Sequence, residues 1–148
     1  MAVIATLFYL AHQIKQNSAA LDRSNAYAQA NSIHQINAMF SGIDAQLAGN
    51  GELAEIYSRA LAGETLSPAE ETRFTAFVNM YVAAVENLAG QQSMQLGFDE
   101  LDSESAVVLM APQLRKLLGT EPGGRWWRES GPVLYVDEFR RQVNAAIK

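Results

Sequence analysis

Apolar residues recur at helical spacing along almost the whole chain. Val3, Leu7, Leu10, Ile14 and Leu21 follow one another at steps of three, four and seven, and Ile33, Ile36, Phe40, Ile43 and Leu47 resume the pattern. No proline falls between Ala2 and Leu47, and Gly42 is the only glycine there. The stretch predicts one long helix, or two joined near Asn31. At about 1.5 Å per residue it reaches roughly 70 Å, too long to be hidden inside a domain of this size.

"AGNG" at 48–51 reads as a helix stop and a turn. "ELAEIYSRALAG" then gives a short amphipathic helix with Leu53, Ile56, Tyr57, Ala60 and Leu61 on one face. "SPAE" at 67–70 is the clearest local signal. Ser67 suits the cap, Pro68 the first helical position, and Glu70 can reach back to the cap amide. The helix it starts carries Phe74, Phe77, Val78, Tyr81, Val82, Val85 and Leu88 on a broad apolar face and is expected to run to about Leu96. "DSESAVVLMAPQLRKLLG" predicts a further helix capped by Asp102 or Ser103, kinked or divided by Pro112, whose ring nitrogen has no hydrogen to donate. "TEPGGRWWRESGP" reads as a loop, a helical turn bearing two tryptophans, and a stop at Gly131-Pro132. A last helix from about Asp137 buries Phe139, Val143 and Ile147. "VLYV" at 133–136 is the one β-like run, and no period-2 alternation surrounds it. The expected fold is all-α: a long N-terminal, membrane-associated helix continuing into a bundle of four or five helices.

The opening run, residues 1–11, decides where the chain resides. A signal peptide needs a basic leader and a small-residue cleavage site, and neither is present. A membrane-crossing helix needs about 20 apolar residues, whereas these eleven cover about 16 Å. The run starts at Met1 without a polar lead-in, as an anchor entered in mid-helix would. A soluble coiled coil is the third reading. The heptad through Val3, Leu7, Leu10, Ile14 and Leu21 meets Asn17, Ser24, Ala28 and Asn31, a weak seam. Apart from Thr6 and Tyr9 the run is apolar around the whole helix, where a surface helix would be polar on its outer side. The expectation is therefore an anchor or interface helix over 1–22, partial or truncated, with Val3, Ile4, Leu7, Phe8 and Leu10 as its membrane contacts, and a bundle domain over 23–148.

Composition narrows the partners. The chain has 148 residues, a net charge of −5, and 11 basic residues that are scattered. Nucleic acid is not expected as a partner, because phosphate binding needs clustered Lys and Arg. Cysteine is absent, which excludes disulfides and thiolate metal sites.

Three stretches resemble one family. "YLAHQIKQNSAALDRS" is similar to the end of the N-terminal anchor in a large, uncharacterised bacterial family of small single-span membrane proteins with a cytoplasmic all-helical domain. "LAEIYSRALAGETLSPAEETRFTAFV" with Glu86-Asn87, and "GGRWWRESGPVLYVDEFRRQV", resemble it as well, in the expected order. The resemblance implies an N-terminal membrane helix and a cytoplasmic helical domain, and no activity, since the family has no established biochemical role. This chain departs from the pattern before Val3, where part of the apolar span is missing. Independently, Lys15 and Arg23 just after the apolar run place the following domain in the cytoplasm by the positive-inside bias.

Catalytic constellations are not recognisable. His12 and His34 are 22 residues apart, with no His-x-x-x-His or Glu-x-x-His spacing, so no metal site or cofactor is expected. His34 opposite Glu86 would still fall short of a metal site. No Gly-x-Ser-x-Gly occurs, and "GNGELA" lacks the preceding strand and the lysine of a phosphate loop. Glu86, in an apolar stretch, needs a partner if it faces the core, with Arg73, Arg125 or Arg128 as candidates. Asn87 is expected to bond the backbone of an adjoining segment. The Arg125-Trp126-Trp127-Arg128 run is read as a core tryptophan beside a partly exposed one, and alternatively as an interface patch, since Trp and Arg favour hot spots. The function expected is a membrane-anchored interaction module, an accessory or scaffolding subunit of a membrane complex, in contact with lipid and other membrane subunits at the bacterial inner membrane. The alternatives are a small-molecule binder or enzyme with an interhelical pocket lined by Tyr81, Glu86 and Trp126, and a homo-oligomer through the first helix.

Overall fold

The computed structural model describes residues 2–93 and 106–148. Over these residues the chain forms six helices and no strand: α1 (Ala2–Gly49), α2 (Gly51–Leu61), α3 (Pro68–Ser93), α4 (Ala106–Leu118), α5 (Glu121–Leu134) and α6 (Asp137–Ala146). The all-α class and the long first helix are as the periodicity predicts. The expected extension of α3 to Leu96 and the caps at Asp102 or Ser103 lie outside the described residues.

α3 is the axis of the bundle, packing against α1, α2, α4 and α5. Phe74, Val78, Val82 and Val85 are wholly buried, and Phe77 and Leu88 nearly so, because steps of three and four keep them on one face. Around that face gather Ile56 and Ala60 of α2, Leu114 and Leu117 of α4, Trp127 of α5, and Phe139 and Val143 of α6. Tyr81 is half-buried, with its ring edge-on to Phe40 of α1 at 5.7 Å. Burial pushes its phenol up to about 12, with the charge of Asp44 adding to the effect.

Local chemistry accounts for the element boundaries. Asn50 caps α2, its side-chain oxygen accepting from the Leu53 amide at 3.1 Å. α2 ends in a paired closure: the Glu64 amide donates to the Arg59 carbonyl and the Gly63 amide to the Ala60 carbonyl. Gly63 sits at φ +77°, the left-handed conformation this ending requires. The capping box at α3 forms as its residues predict, with the Ser67 amide donating to Glu70 Oε2 at 2.7 Å and the Glu70 amide to Ser67 Oγ at 3.4 Å. Arg59 fastens the same turn, bonding Glu70, Glu64 and the Thr65 carbonyl.

Of three local expectations, the first is narrowed and the other two are corrected. α4 runs undivided through Pro112. The carbonyl left without its amide partner is that of Val108, whose residue is 48% exposed, so water can bond it. "TEPGG" is not a loop: Thr120 caps α5, its hydroxyl accepting from the Gly123 amide at 3.1 Å, and Glu121-Pro122 form the first turn. Nor does Gly131-Pro132 stop α5. Pro132 lies in the last turn and is exposed, where few hydrogen bonds are lost, and the Tyr135 amide closes the helix on the Gly131 carbonyl. The bundle therefore ends in two full helices where the sequence predicts a short turn and one helix.

α1 is a single helix with no break near Asn31. Only its second half is packed: Ile36 and Ile43 are buried and Met39, Phe40 and Leu47 line the core. Ile33, expected on that face, is 41% exposed, and Ser32 is buried in its place, its hydroxyl bonded to Gln91 of α3. Before Gln29 every described side chain is exposed. Residues 2–28 thus form an arm of about 40 Å whose described side chains all stand clear of the bundle core.

Candidate functional site

The arm is the first candidate. Leu7 is 61% exposed, Leu10 47%, Ile14 68% and Leu21 63%, and Tyr9 and Tyr27 are exposed beside them. Leu7, Leu10, Ile14 and Leu21 share one seam of the helix, as the heptad spacing predicts. Val3, Ile4 and Phe8 belong to α1, but their side chains lie outside the described residues. The polar side of the arm is tied locally: Gln13 donates to the Tyr9 hydroxyl at 2.9 Å, and Gln16 meets His12 at 3.0 Å. No helix among the described residues is long and apolar enough to cross a membrane, so the transmembrane expectation finds no support in the structure. The reason is the run His12-Gln13-Ile14-Lys15-Gln16-Asn17, which follows the apolar residues directly.

The tryptophan run divides as adjacent residues on a helix must. Trp127 is buried, 7% exposed, with Nε1 donating to Asn144 at 2.8 Å, while Trp126 is half-buried and edge-on to Tyr135. Arg125 is held by Glu71 of α3 and by Glu121, and Arg128 is exposed. Of the four residues expected as an interface, Arg125, Trp126 and Arg128 retain surface, Arg125 with its charge already met by two acids. A shallow polar groove of 180 Å³ lies between Trp126, Arg125 and Thr72.

Tyr81, Glu86 and Trp126 do not share a pocket among the described residues. Tyr81 faces Phe40 and the Met110 sulfur, Trp126 borders the polar groove, and Glu86 opens on a separate cavity. None of the three arginines expected to neutralise Glu86 pairs with it: Arg73 pairs with Glu52, Arg125 with Glu71 and Glu121, and Arg128 makes no ion pair among the described residues. Among the described residues Asn87 bonds the Ala83 carbonyl of its own helix at 3.0 Å. His34 is exposed, and no group of three or more metal-ligating side chains occurs among the described residues.

The Glu86 cavity has about 270 Å³ and lies between the last turns of α3 and the start of α6. Ala89, Val136 and Phe139 make its apolar wall, and Glu86, Glu138 and Gln142 its polar one. Arg141 and Gln142 both bond Glu138, and these bonds hold its carboxyl below the ordinary range. Glu86 makes no ion pair among the described residues, and burial alone pushes its carboxyl up. Beside it, burial lifts the Tyr135 phenol to about 12, with the charge of Glu86 adding to the effect. The Tyr135 hydroxyl bonds Asn79 Oδ1 at 2.8 Å.

A larger cavity of about 410 Å³ lies among α1, α2 and α3, floored by Leu53, Phe77 and Met80. The Glu52–Arg73 pair stands at its rim and satisfies its own charges. Sequence reasoning placed Glu86 on an interhelical pocket but with the wrong companions, Tyr81 and Trp126, and it missed the cavity among α1, α2 and α3, since neither lining follows from any one segment. The only local signal for the first was Glu86 itself, an acid in an apolar helical stretch.

No protein-family model matches the chain, and comparison with curated proteins and with solved structures finds no match to it.

Proposed function

We propose that the chain is a helical interaction module, an accessory or scaffolding subunit held at a bacterial inner membrane by the arm of α1, with its bundle on the cytoplasmic face. One observation carries the reading: about 40 Å of helix projects from the bundle with Leu7, Leu10, Ile14 and Leu21 exposed along one seam. Burying each of these half-exposed side chains contributes about 1 kcal/mol, so the seam offers about 4 kcal/mol to whatever covers it. An apolar end too short to cross lipid by itself gains by lying against the helices of a membrane complex. Lys15 and Arg23 then fall at the cytoplasmic boundary, and the arm sets the bundle off from the membrane.

A second reading is favoured by the same seam. Two copies of α1 can pair in parallel through Leu7, Leu10, Ile14 and Leu21, with the Asn17 residues facing each other and fixing the register. One experiment separates the two. The protein is extracted at native abundance from its own membranes in mild detergent, and its mass and company are determined. Co-migration with a large membrane complex through washes that strip peripheral proteins supports the accessory subunit. Migration as a dimer of this chain alone supports the paired helix. Recovery as a monomer from the soluble fraction sinks both.

A further inference from the structure

Among the bundle arginines, Arg59, Arg73, Arg125, Arg140 and Arg141 are each paired with an acid, and Arg115 donates to the Ala146 carbonyl. Asp22, Asp44, Glu55, Glu86 and Glu129 make no ion pair among the described residues, and of these only Glu86 is not exposed. It stands half-buried on an apolar cavity, with no cation paired to it among the described residues. A carboxylate so placed loses part of its hydration, and a cation entering the cavity offsets that loss. Glu138, across the cavity, is already met by Arg141 and Gln142. The cavity therefore holds one uncompensated negative charge.

We infer that the Glu86 cavity receives one arginine side chain from the protein partner of the interaction module. This rests on the proposed function and names the chemistry of the partner at a second contact, away from the arm. Size argues for a side chain: about 270 Å³ falls just under the roughly 300–1,000 Å³ of sites for whole small molecules. Charge argues for a single cation. The wall argues for arginine over lysine, because a guanidinium is weakly hydrated and enters an apolar surround more readily than an ammonium. Its fork can also use two acceptors at once. Glu86 offers a carboxylate, and Gln142, whose Nε2 donates to Glu138 at 3.2 Å, retains its amide oxygen. Val136, 66% exposed on the rim, supplies the apolar edge that excludes water around a buried contact. Val133 and Leu134, 84% and 54% exposed and just before it in the chain, extend the apolar surface at this corner.

The test reads the cavity directly. The full chain, uniformly labelled with ¹³C and ¹⁵N, is titrated with Nα-acetyl-arginine N-methylamide at fixed ionic strength, and the Glu86 carboxyl signal is followed against pH. Nα-acetyl-norleucine N-methylamide serves as the neutral control and hexylammonium as a small amine. The expected result is a saturable shift at Glu86, Val136 and Phe139 with the arginine probe. The Glu86 midpoint then falls back toward the ordinary 4.5. Glu86→Gln weakens the probe by about tenfold, the scale of a lost charge-assisted bond. An unmoved Glu86 signal overturns the inference, and so does an equal response to the norleucine probe. Tighter binding of hexylammonium than of the arginine probe also overturns it, in favour of a small-amine site. The wild-type titration needs no variant to fold. Its failure leaves the membrane-complex reading standing, and solitary migration of the extracted protein leaves the titration result standing.

Discussion

Two glycine-to-alanine changes, identical in chemistry, are expected to shift stability in opposite directions. Gly42 is an exposed residue of α1 next to buried Ile43, and a methyl group there would meet nothing within 4 Å. Alanine is better than glycine in a helix interior by about 1 kcal/mol, so Gly42→Ala is expected to stabilise by about that much. Gly123 lies in the first turn of α5, against the end of α4. A methyl group there would stand 2.1 Å from the Leu117 carbonyl oxygen and 2.8 Å from Thr120 Oγ1. That oxygen is backbone and already accepts the Thr120 hydroxyl at 2.8 Å, so it has little room to move. Overpacking costs about 1–3 kcal/mol, and a contact this short belongs at the upper end. Setting the helical gain of about 1 kcal/mol against a cost of about 3 leaves Gly123→Ala less stable by about 2 kcal/mol. For a chain of this length the shifts in Tm are about +3 °C and about −6 °C. Thermal unfolding followed by far-UV circular dichroism measures both under one set of conditions. Equal shifts, or a stabilised Gly123→Ala, would refute the tight α4–α5 turn from which the difference is derived.

Leu114 is fully buried, and Leu114→Ala is expected to cost about 3 kcal/mol, read as a drop in urea midpoint at unchanged m. Ser67→Ala removes one arm of the capping box while the Ser67 amide still meets Glu70, so the loss is expected at about 1 kcal/mol or less in the same assay. The Glu70 carboxyl is lowered by the Ser67 amide first, then by the Ser67 hydroxyl and Arg59. Its contribution is therefore present above the ordinary 4.5 and fades as pH falls through the depressed value, an acid-side loss that Glu70→Gln should abolish. Glu86 has the opposite sign. With its folded value raised by burial, the folded state holds the proton more tightly, so stability falls as pH rises from 4.5 through the raised value. Glu86→Gln should be more stable than wild type at pH 7 and lose that advantage at a pH of about 3.5 in parallel thermal scans. A difference between Glu86→Gln and wild type that stays flat from about pH 3.5 to 7 would refute the placement of Glu86.

The legible parts of the fold are those where one segment decides. The face from Phe74 to Leu88 is read from spacing because each residue has to be buried whatever lies opposite. "SPAE" is read because a capping box is complete within four residues. The misread parts depend on a neighbour. Gly123-Gly124 looks like a loop in sequence, and only the end of α4 passing over it explains why glycine is needed in a helix. Ser32 is buried and Ile33 exposed because Gln91 reaches the serine hydroxyl, which the spacing of α1 cannot reveal. The candidate site shows the same division. The arm was visible as an apolar run, whereas the cavity at Glu86 needs α6 to bring Val136, Phe139 and Gln142 against α3. The arginines expected to meet Glu86 were plausible by type, but Arg73 finds Glu52, and Arg125 finds Glu71 and Glu121.

On the proposed reading the two surfaces divide the work of recognition between them. The apolar seam of the arm has little side-chain specificity, since Leu and Ile suit lipid, another helix or a second copy about equally. What it provides is residence. A single arginine in the Glu86 cavity has the converse character, being selective in charge and shape but weak alone, in the range of about 1 mM or worse for one side chain. Joined through one rigid helix, the second contact forms within a molecule already held in place, at an effective concentration of about millimolar or above. A contact of that strength is then about half occupied or more on the correct partner, where the effective concentration reaches its Kd, and nearly empty on every other protein of the membrane surface. The unbroken course of α1 from the arm into the core matters for this reason. A flexible linker at residue 29 would leave both contacts intact and lower the effective concentration that couples them.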